Sequence, residues 1–395
     1  MYPTLYDAIK DLFGINIPAL QIANTFGFFV AMSFLITNYV MMLELRRKEN
    51  EGLLKSTITR VKLGLPLPKA EYISNLVIGF IFGYKIIPLI IDSSLMKDGP
   101  QAYIFSSDGN WLTGILLAGV LVYLKYREDI KQRLDIPEEK DMVVHPWQSM
   151  GYITLVAAIT GIIGAKIFHW LEYWEDFVAH PVENLLSPSG LTFFGGLICG
   201  GAGVMWAAKK RGIGRRIMLD VGAPSMLLAY GIGRMGCHFS GDGDWGIVNT
   251  APKPSWMSFL PDWFWAYNYP NNVSRECDPT GGSMPCDFEV TPYLQLPVFP
   301  TPMYEILMAF ALFGIVWMLR KRIKPVGALF GIYMIFAGLE RFFIEKIRVN
   351  STYDILGFHP TQAEIISVLL VLGGAAFFIY NYRRAKNQES IEATN

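Results

Sequence analysis

The sequence predicts an all-α polytopic membrane protein, on three observations. Apolar runs about 20 residues long recur along the chain, the length at which a helix spans a bilayer. Arg and Lys groups close every second run, as the positive-inside rule requires. Charged residues are only 17% of the 395, against roughly a quarter in soluble domains, while apolar residues reach 52% and aromatic ones 14%.

Nine segments follow in order: Pro18–Leu43, Tyr72–Ile91, Trp111–Leu124, Met150–Leu171, Gly190–Ala208, Ile217–Gly236, Pro302–Leu319, Val326–Ile344 and Gln362–Tyr382. Five basic stretches begin at Arg46, Lys125, Lys209, Arg320 and Arg383 and alternate with poorer ones. Nine spans with the N-terminus outside and the C-terminus inside satisfy that alternation; a missed or invented helix breaks it. Met1–Gly14 lacks a basic n-region, so no signal peptide is read there. The chain is expected to be one integral membrane domain over residues 1–395.

Composition excludes several classes. Lys+Arg and Asp+Glu number 34 each, so no net positive charge points to nucleic acid. No long polar tract suggests disorder, and no repeat of 20–50 residues suggests a solenoid. The four cysteines make no disulfide scaffold, and CxxC, HxxxH and HExxH spacings are absent. Neither a metal nor another cofactor is expected.

The longest stretch between segments, residues 237–300, lies outside on this topology. Trp245, Trp256, Trp263 and Trp265 suit a small extracytoplasmic cap at headgroup level. Cys277 and Cys286 fall in it, nine positions apart. An oxidising compartment permits a disulfide between them, two free thiols being the alternative.

Ionisable residues in apolar segments are costly and need a partner or a task. Three sites stand out. Gly231–Gly246 closes the sixth segment with a glycine-rich run carrying Arg234, His238, Asp242 and Asp244. The bland alternative is a re-entrant turn with Arg234 paired to an Asp. Leu339–Arg348 closes the eighth segment, and Arg341, Glu345 and Arg348 share a helix face by their spacing of four and three. Two arginines at one depth bind a phosphate through bidentate hydrogen bonds. The alternative is snorkelling, with an ion pair from Arg341 to Glu345. Ser189–Gly201 carries the third site, whose glycines read first as close helix packing. The first two sites together describe an intramembrane phosphate clamp and an anionic phospholipid as ligand.

At these motifs the chain resembles the prolipoprotein diacylglyceryl transferases. Gly233-Arg234-Met235-Gly236-Cys237-His238-Phe239-Ser240-Gly241-Asp242, followed by Trp245-Gly246, is similar to the family signature Gly-Arg-x-Gly-Asn-Phe-x-Asn-Gly-Glu. Phe194-Gly195-Gly196-Leu197 is similar to the family's His-Gly-Gly-Leu, and Pro300–Glu305 to an element ending in Tyr-Glu. The Arg341–Glu345 helix is similar to the family's Arg with a Glu four residues on; Gly164-Ala165-Lys166 and Asn24-Thr25-Phe26-Gly27 stand at two further family elements, with the order of all six kept. Members typically have seven transmembrane helices, so residues 72–126 are expected to be an inserted hairpin.

The resemblance implies transfer of the diacylglyceryl group from phosphatidylglycerol to the lipobox Cys thiol of a prolipoprotein, with release of glycerol-1-phosphate. It implies a multi-pass protein of the bacterial cytoplasmic (inner) membrane, with its site towards the outer leaflet, no nucleic-acid partner, and a monomer. Arg234 and Arg341 are expected to hold the phosphate. Gly233, Gly236, Ser240, Glu345, Arg348, Gly195, Gly196 and Tyr304 are expected to line the substrate site. The family's His and early Tyr are Phe194 and Phe26 here, and neither Phe takes a proton. His238, with a reference pKa near 6.5, is the expected replacement base, and Asp242 the second candidate. Two alternatives stand beside this reading: an inactive relative that binds lipid or prolipoprotein, and a transporter.

Overall fold

The computed structural model describes the chain except residues 93–94, 96–102, 105, 135, 187–189, 191, 280–292, 351–352, 355–357 and 393–395. It is mostly helical. Among the described residues a helix covers the main part of each of the nine apolar stretches: α2 (Thr25–Asn50), α3 (Lys69–Ile91), α4 (Trp111–Gln132), α5 (Met150–Glu172), α8 (Phe193–Lys210), α9 (Arg215–Ser240), α10 (Thr301–Leu319), α11 (Ala328–Glu345) and α12 (Gln362–Glu392). Short helices α1 (Leu5–Phe13), α6 (Trp174–Ala179) and α7 (Pro181–Leu186) complete the set. Five helices among the described residues are long and apolar enough to cross a membrane: Thr25–Asn50, Lys69–Ile91, Pro146–Glu172, Thr301–Leu319 and Gln362–Gln388.

Two expectations need correction. The first long helix starts at Thr25, not Pro18, because Pro18–Ile22 forms a separate 3-10 turn. The chain is also not purely helical: β1 (Thr57–Leu63) and β2 (Glu138–Val144) pair antiparallel, Thr57 opposite Val144 and Leu63 opposite Glu138.

The chain forms two compact units. The larger comprises Met1–Pro3, Thr25–Leu54 and Pro146–Asn395. Helix α9 is its axis and packs against α2, α8, α10 and α11. Small residues make this possible: Gly222, Ala223, Ser225, Gly231 and Gly236 are all buried on it, so neighbouring backbones approach closely. At one end Leu45, Met150, Ile153, Ala207, Met218 and Val221 form an apolar core. Further along, Ala223, Leu227, Val316 and Leu329 join α9, α10 and α11. Helices α5 and α8 pack through Gly164 and Gly195, where a methyl group on Gly195 would meet the Gly164 carbonyl oxygen at 2.5 Å.

The cap has its own small core of Trp245, Tyr269, Leu294 and Val298. Val298 makes isolated bridges to Val248 and Tyr267. The cap starts later than expected: residues 237–240 are the last turn of α9, closed by Gly241 in the left-handed region at φ 66°. Cys277 is disulfide-bonded. Its expected partner, Cys286, lies outside the described residues, as does the Gly281-Gly282 pair between them.

The smaller unit comprises Thr4–Asn24 and Lys55–His145. Helices α3 and α4 form its hairpin, and Gly79 and Gly83 meet the backbone of Ala118 and Thr113. The Lys85 ammonium ties the connecting loop by donating to the carbonyls of Tyr103, Ser106 and Asp108 at 3.0, 2.6 and 2.6 Å. The β1–β2 ribbon closes the foot of the hairpin, so the strand leading into it and the strand leading out lie side by side. This unit is wider than residues 72–126.

Candidate functional site

The site is built where α9 ends, α10 begins and α11 ends. Helix α9 continues through the glycine-rich signature to Ser240, so Tyr230 and Arg234 stand one turn apart on a rigid element. The helix therefore runs four residues beyond its expected end at Gly236. The Arg234 guanidinium lies over the Tyr230 ring, 5.2 Å from its centroid. It pairs with Asp244 just beyond the helix and, through Nε at 3.1 Å, with Glu305.

Glu305 is the hub. It sits in the first turns of α10 with 0% exposure. The Tyr230 hydroxyl donates to its Oε1 at 2.7 Å. Arg341 Nη1 and Arg348 Nη1 approach the same oxygen at 3.6 and 3.7 Å. Arg341 also pairs with Glu345 one turn on, at 2.8 Å, and Asn350 Nδ2 donates to Glu345 at 2.6 Å. Arg348 pairs with Asp244. Backbone contacts fix that loop: Gly246 bridges Arg348, and Ile247 N–H donates to the Ile347 carbonyl at 2.9 Å. Three arginines from two stretches of chain, the end of α9 and the end of α11, thus converge on one buried carboxylate. Like charges gather at this depth only when carboxylates offset their repulsion, and a buried charge stripped of its partner costs about 3–5 kcal/mol.

The arginines are not fully consumed. Among the described residues, Arg348 Nε and Nη1 are buried without a hydrogen-bond acceptor. The Arg341 side chain is 27% exposed, against 15% for Arg234 and 12% for Arg348. Arg341 is the most open face of the cluster. Free N–H donors on planar guanidiniums, held rigidly in a low-dielectric site, suit an oxyanion such as a phosphate.

The family profile described as prolipoprotein diacylglyceryl transferase matches residues 110–380. The chain belongs to this family. Curated relatives carry the name phosphatidylglycerol–prolipoprotein diacylglyceryl transferase. That of Dehalococcoides mccartyi is 29% identical over 237 residues, 60% of this chain and 78% of the relative. That of Shouchella clausii is 28% identical over 293 residues, 73% and 90% of the two chains. That of Staphylococcus haemolyticus is 27% identical over 304 residues, 76% and 91%.

In this member of the family the other expected residues fall into separate settings. His238 is buried among aromatic rings, with Tyr269 and Trp263 centroids 5.8 and 6.4 Å from its own. The Tyr269 hydroxyl lies 3.5 Å from Nδ1, and burial pushes that hydroxyl well above its ordinary pKa, so it keeps its proton. Asp242 accepts from the Asp244 N–H at 3.3 Å and interacts with the Cys237 thiol; the ion pair to Arg234 is made by Asp244 instead. Gly236 lies against the backbone of Phe26, where a methyl group would meet the Phe26 carbonyl at 3.3 Å. Gly233 has open space on that side. Ser240 is buried and directed at the Cys237 carbonyl, 3.5 Å away. Tyr304 donates to the Phe264 carbonyl at 2.7 Å and so ties α10 to the cap. Gly195 and Gly196 line the contact with α5, opposite the Gly164 and Gly161 carbonyls.

Sequence reasoning placed the three arginines and Glu345 but missed Glu305, Tyr230 and Glu340, and ranked Asp242 above Asp244. A signal for Glu305 existed: it follows Tyr304 at the start of an apolar helix, where an acid needs a counter-ion. Tyr230, one turn before Arg234, carried no charge to flag it.

Proposed function

We propose that this chain moves the diacylglyceryl group of phosphatidylglycerol onto the lipobox Cys thiol of a prolipoprotein, releasing glycerol-1-phosphate. The observation that carries the reading is the convergence of Arg234, Arg341 and Arg348 on buried Glu305. Membership of the family and the names of its relatives support it. The thiolate attacks the glyceryl carbon, a carbon–sulfur bond forms, and the carbon–oxygen bond to phosphate breaks. Charge then grows on the departing phosphate. Arg341, the most open of the three, and Arg348, with two buried donors to spare, receive it, while Arg234 is held by Glu305 and Asp244 as the rigid back of the clamp.

Nine spans with the N-terminus outside put this end of α9 at the outer leaflet of a bacterial cytoplasmic membrane, with the Trp-rich cap above it. The alternation of basic stretches supports that arrangement. The cap would present the signal peptide, and the α3–α4 hairpin is an insertion carried on the inner-facing ribbon. The protein works as a monomer. His238 takes the thiol proton, with Asp242 the second candidate. Full activity in a folded His238→Gln variant would remove His238 from that role.

The test uses purified protein in detergent with phosphatidylglycerol and a lipobox peptide. The expected result is a peptide heavier by one diacylglyceryl group and an equal amount of glycerol phosphate. Lipid binding without peptide modification would instead favour the inactive, lipid-binding relative.

A further inference from the structure

The charge count at the cluster does not close. Arg234, Arg341 and Arg348 bring three positive charges, while Asp244, Glu305, Glu340 and Glu345 bring four carboxylates. Three of those acids have an arginine at ion-pair distance. Glu340 has none among the described residues, and it is only 8% exposed. Its hydrogen-bond partner is the Tyr230 hydroxyl at 3.5 Å. That hydroxyl has one proton, and its short contact, 2.7 Å, is to Glu305. The proton is engaged by Glu305 at the shorter distance, so the 3.5 Å contact leaves Glu340 Oε1 without a strong hydrogen-bond donor. Glu340 is thus buried with neither an arginine at ion-pair distance nor a strong donor among the described residues, a setting that disfavours its ionised form.

We infer that Glu340 carries a proton when the site holds its lipid, and that this neutral acid is what lets the cluster accept an anionic phosphodiester. With Glu340 neutral the cluster has no net charge. With Glu340 ionised it is negative, and an incoming phosphate meets an unpaired carboxylate one residue from Arg341. Ionisation of such a buried, unpaired carboxylate is costly, and an anion beside it raises that cost. The charged and titratable groups facing Glu340 are Tyr230 and Arg234 from α9, Glu305 from α10, and Tyr333 and Arg341 on its own helix. Helix α12 meets α11 through Gly331 and Gly338, opposite the Gly374 and Ser367 carbonyls. Glu340 thus acts as a specificity residue for headgroup charge. This inference rests on the phospholipid reading above.

The experiment measures binding of phosphatidylglycerol in neutral-detergent micelles to the full chain from about pH 6 to about pH 9, a range in which a phosphodiester does not titrate. Affinity should fall with rising pH, reaching about tenfold per pH unit for one linked proton. In Glu340→Gln, a permanently neutral isostere, the slope should vanish and affinity at high pH should exceed that of the wild type. His238→Gln should keep the slope. A Glu340→Gln variant that retains the wild-type slope, or a folded one that loses binding at every pH, overturns the inference. Calorimetry of the wild type in two buffers of different ionisation enthalpy needs no variant: uptake of a proton on binding is expected where affinity is falling, and none overturns it. If the wild type binds phosphatidylglycerol no better than a zwitterionic lipid, or Arg341→Ala binds equally well, the phospholipid reading itself fails.

Discussion

Two buried ionic clusters lie at opposite ends of α9, and they differ in what they leave unused. Asp220 and Arg234 are 14 residues apart on this helix, about 21 Å at 1.5 Å per residue. At the first end Glu44 of α2 is 1% exposed and pairs with Arg47 and with Arg320, whose Nε is 3.0 Å away. Asp220 accepts from the Gly327 and Phe330 N–H groups at 2.7 and 3.1 Å, capping the start of α11. Arg320 also reaches the Trp317 carbonyl and lies 3.2 Å from the Trp317 ring centroid, and Arg47 reaches the Arg320 carbonyl at 3.3 Å. At the other end Arg348 keeps two buried donors without an acceptor, and Arg341 is partly open. Residue types are the same at both ends.

That difference can be broken or sharpened by substitution. The largest effect is expected for Glu305→Ala, which leaves Arg234, Arg341 and Arg348 facing one another: a loss of about 3–5 kcal/mol in stability together with loss of transfer, read by thermal unfolding and by the peptide assay. Glu44→Ala should cost a similar 3–5 kcal/mol in unfolding because it strands Arg47 and Arg320. Transfer per folded molecule should nevertheless stay at the wild-type level, and a matching loss of activity would erase the contrast between the ends. The smallest effect belongs to Gly195→Ala. Its methyl group overpacks the α5–α8 contact, so a loss of about 1–3 kcal/mol in stability is expected with the KM for phosphatidylglycerol unchanged. A raised KM with unchanged stability would instead support the expected place of Gly195 in the substrate site.

The helices were legible because length and apolarity decide them: each of the nine stretches holds a helix. Their ends were less so. Pro18 breaks the run before Thr25, and α9 runs past Gly236 to Ser240, taking in three of the signature's six glycines, because packing against α2 and α10 outweighs their low propensity. The β1–β2 ribbon was missed since its strands, TITRVKL and EEKDMVV, are charged and lie between membrane segments. At the site, the arginines announced themselves as cations in apolar segments. Glu305 and Glu340 gave a weaker signal, because a single acid at a helix start or end shows its counter-ion only once the arginines around it are placed. Which Asp pairs with Arg234 depended on a turn at Gly241 and Gly243, both at positive φ, that sends Asp244 back to the cluster.

The most direct measurement compares Arg341→Ala with Arg320→Ala, one arginine from each end, in glycerol phosphate release from phosphatidylglycerol with a lipobox peptide. The expected result is a loss of about 10²–10³-fold or more per folded molecule for Arg341→Ala, and wild-type turnover with lowered stability for Arg320→Ala. Equal turnover in the two folded variants would contradict the assignment of the reaction to the Glu305 end of the helix bundle.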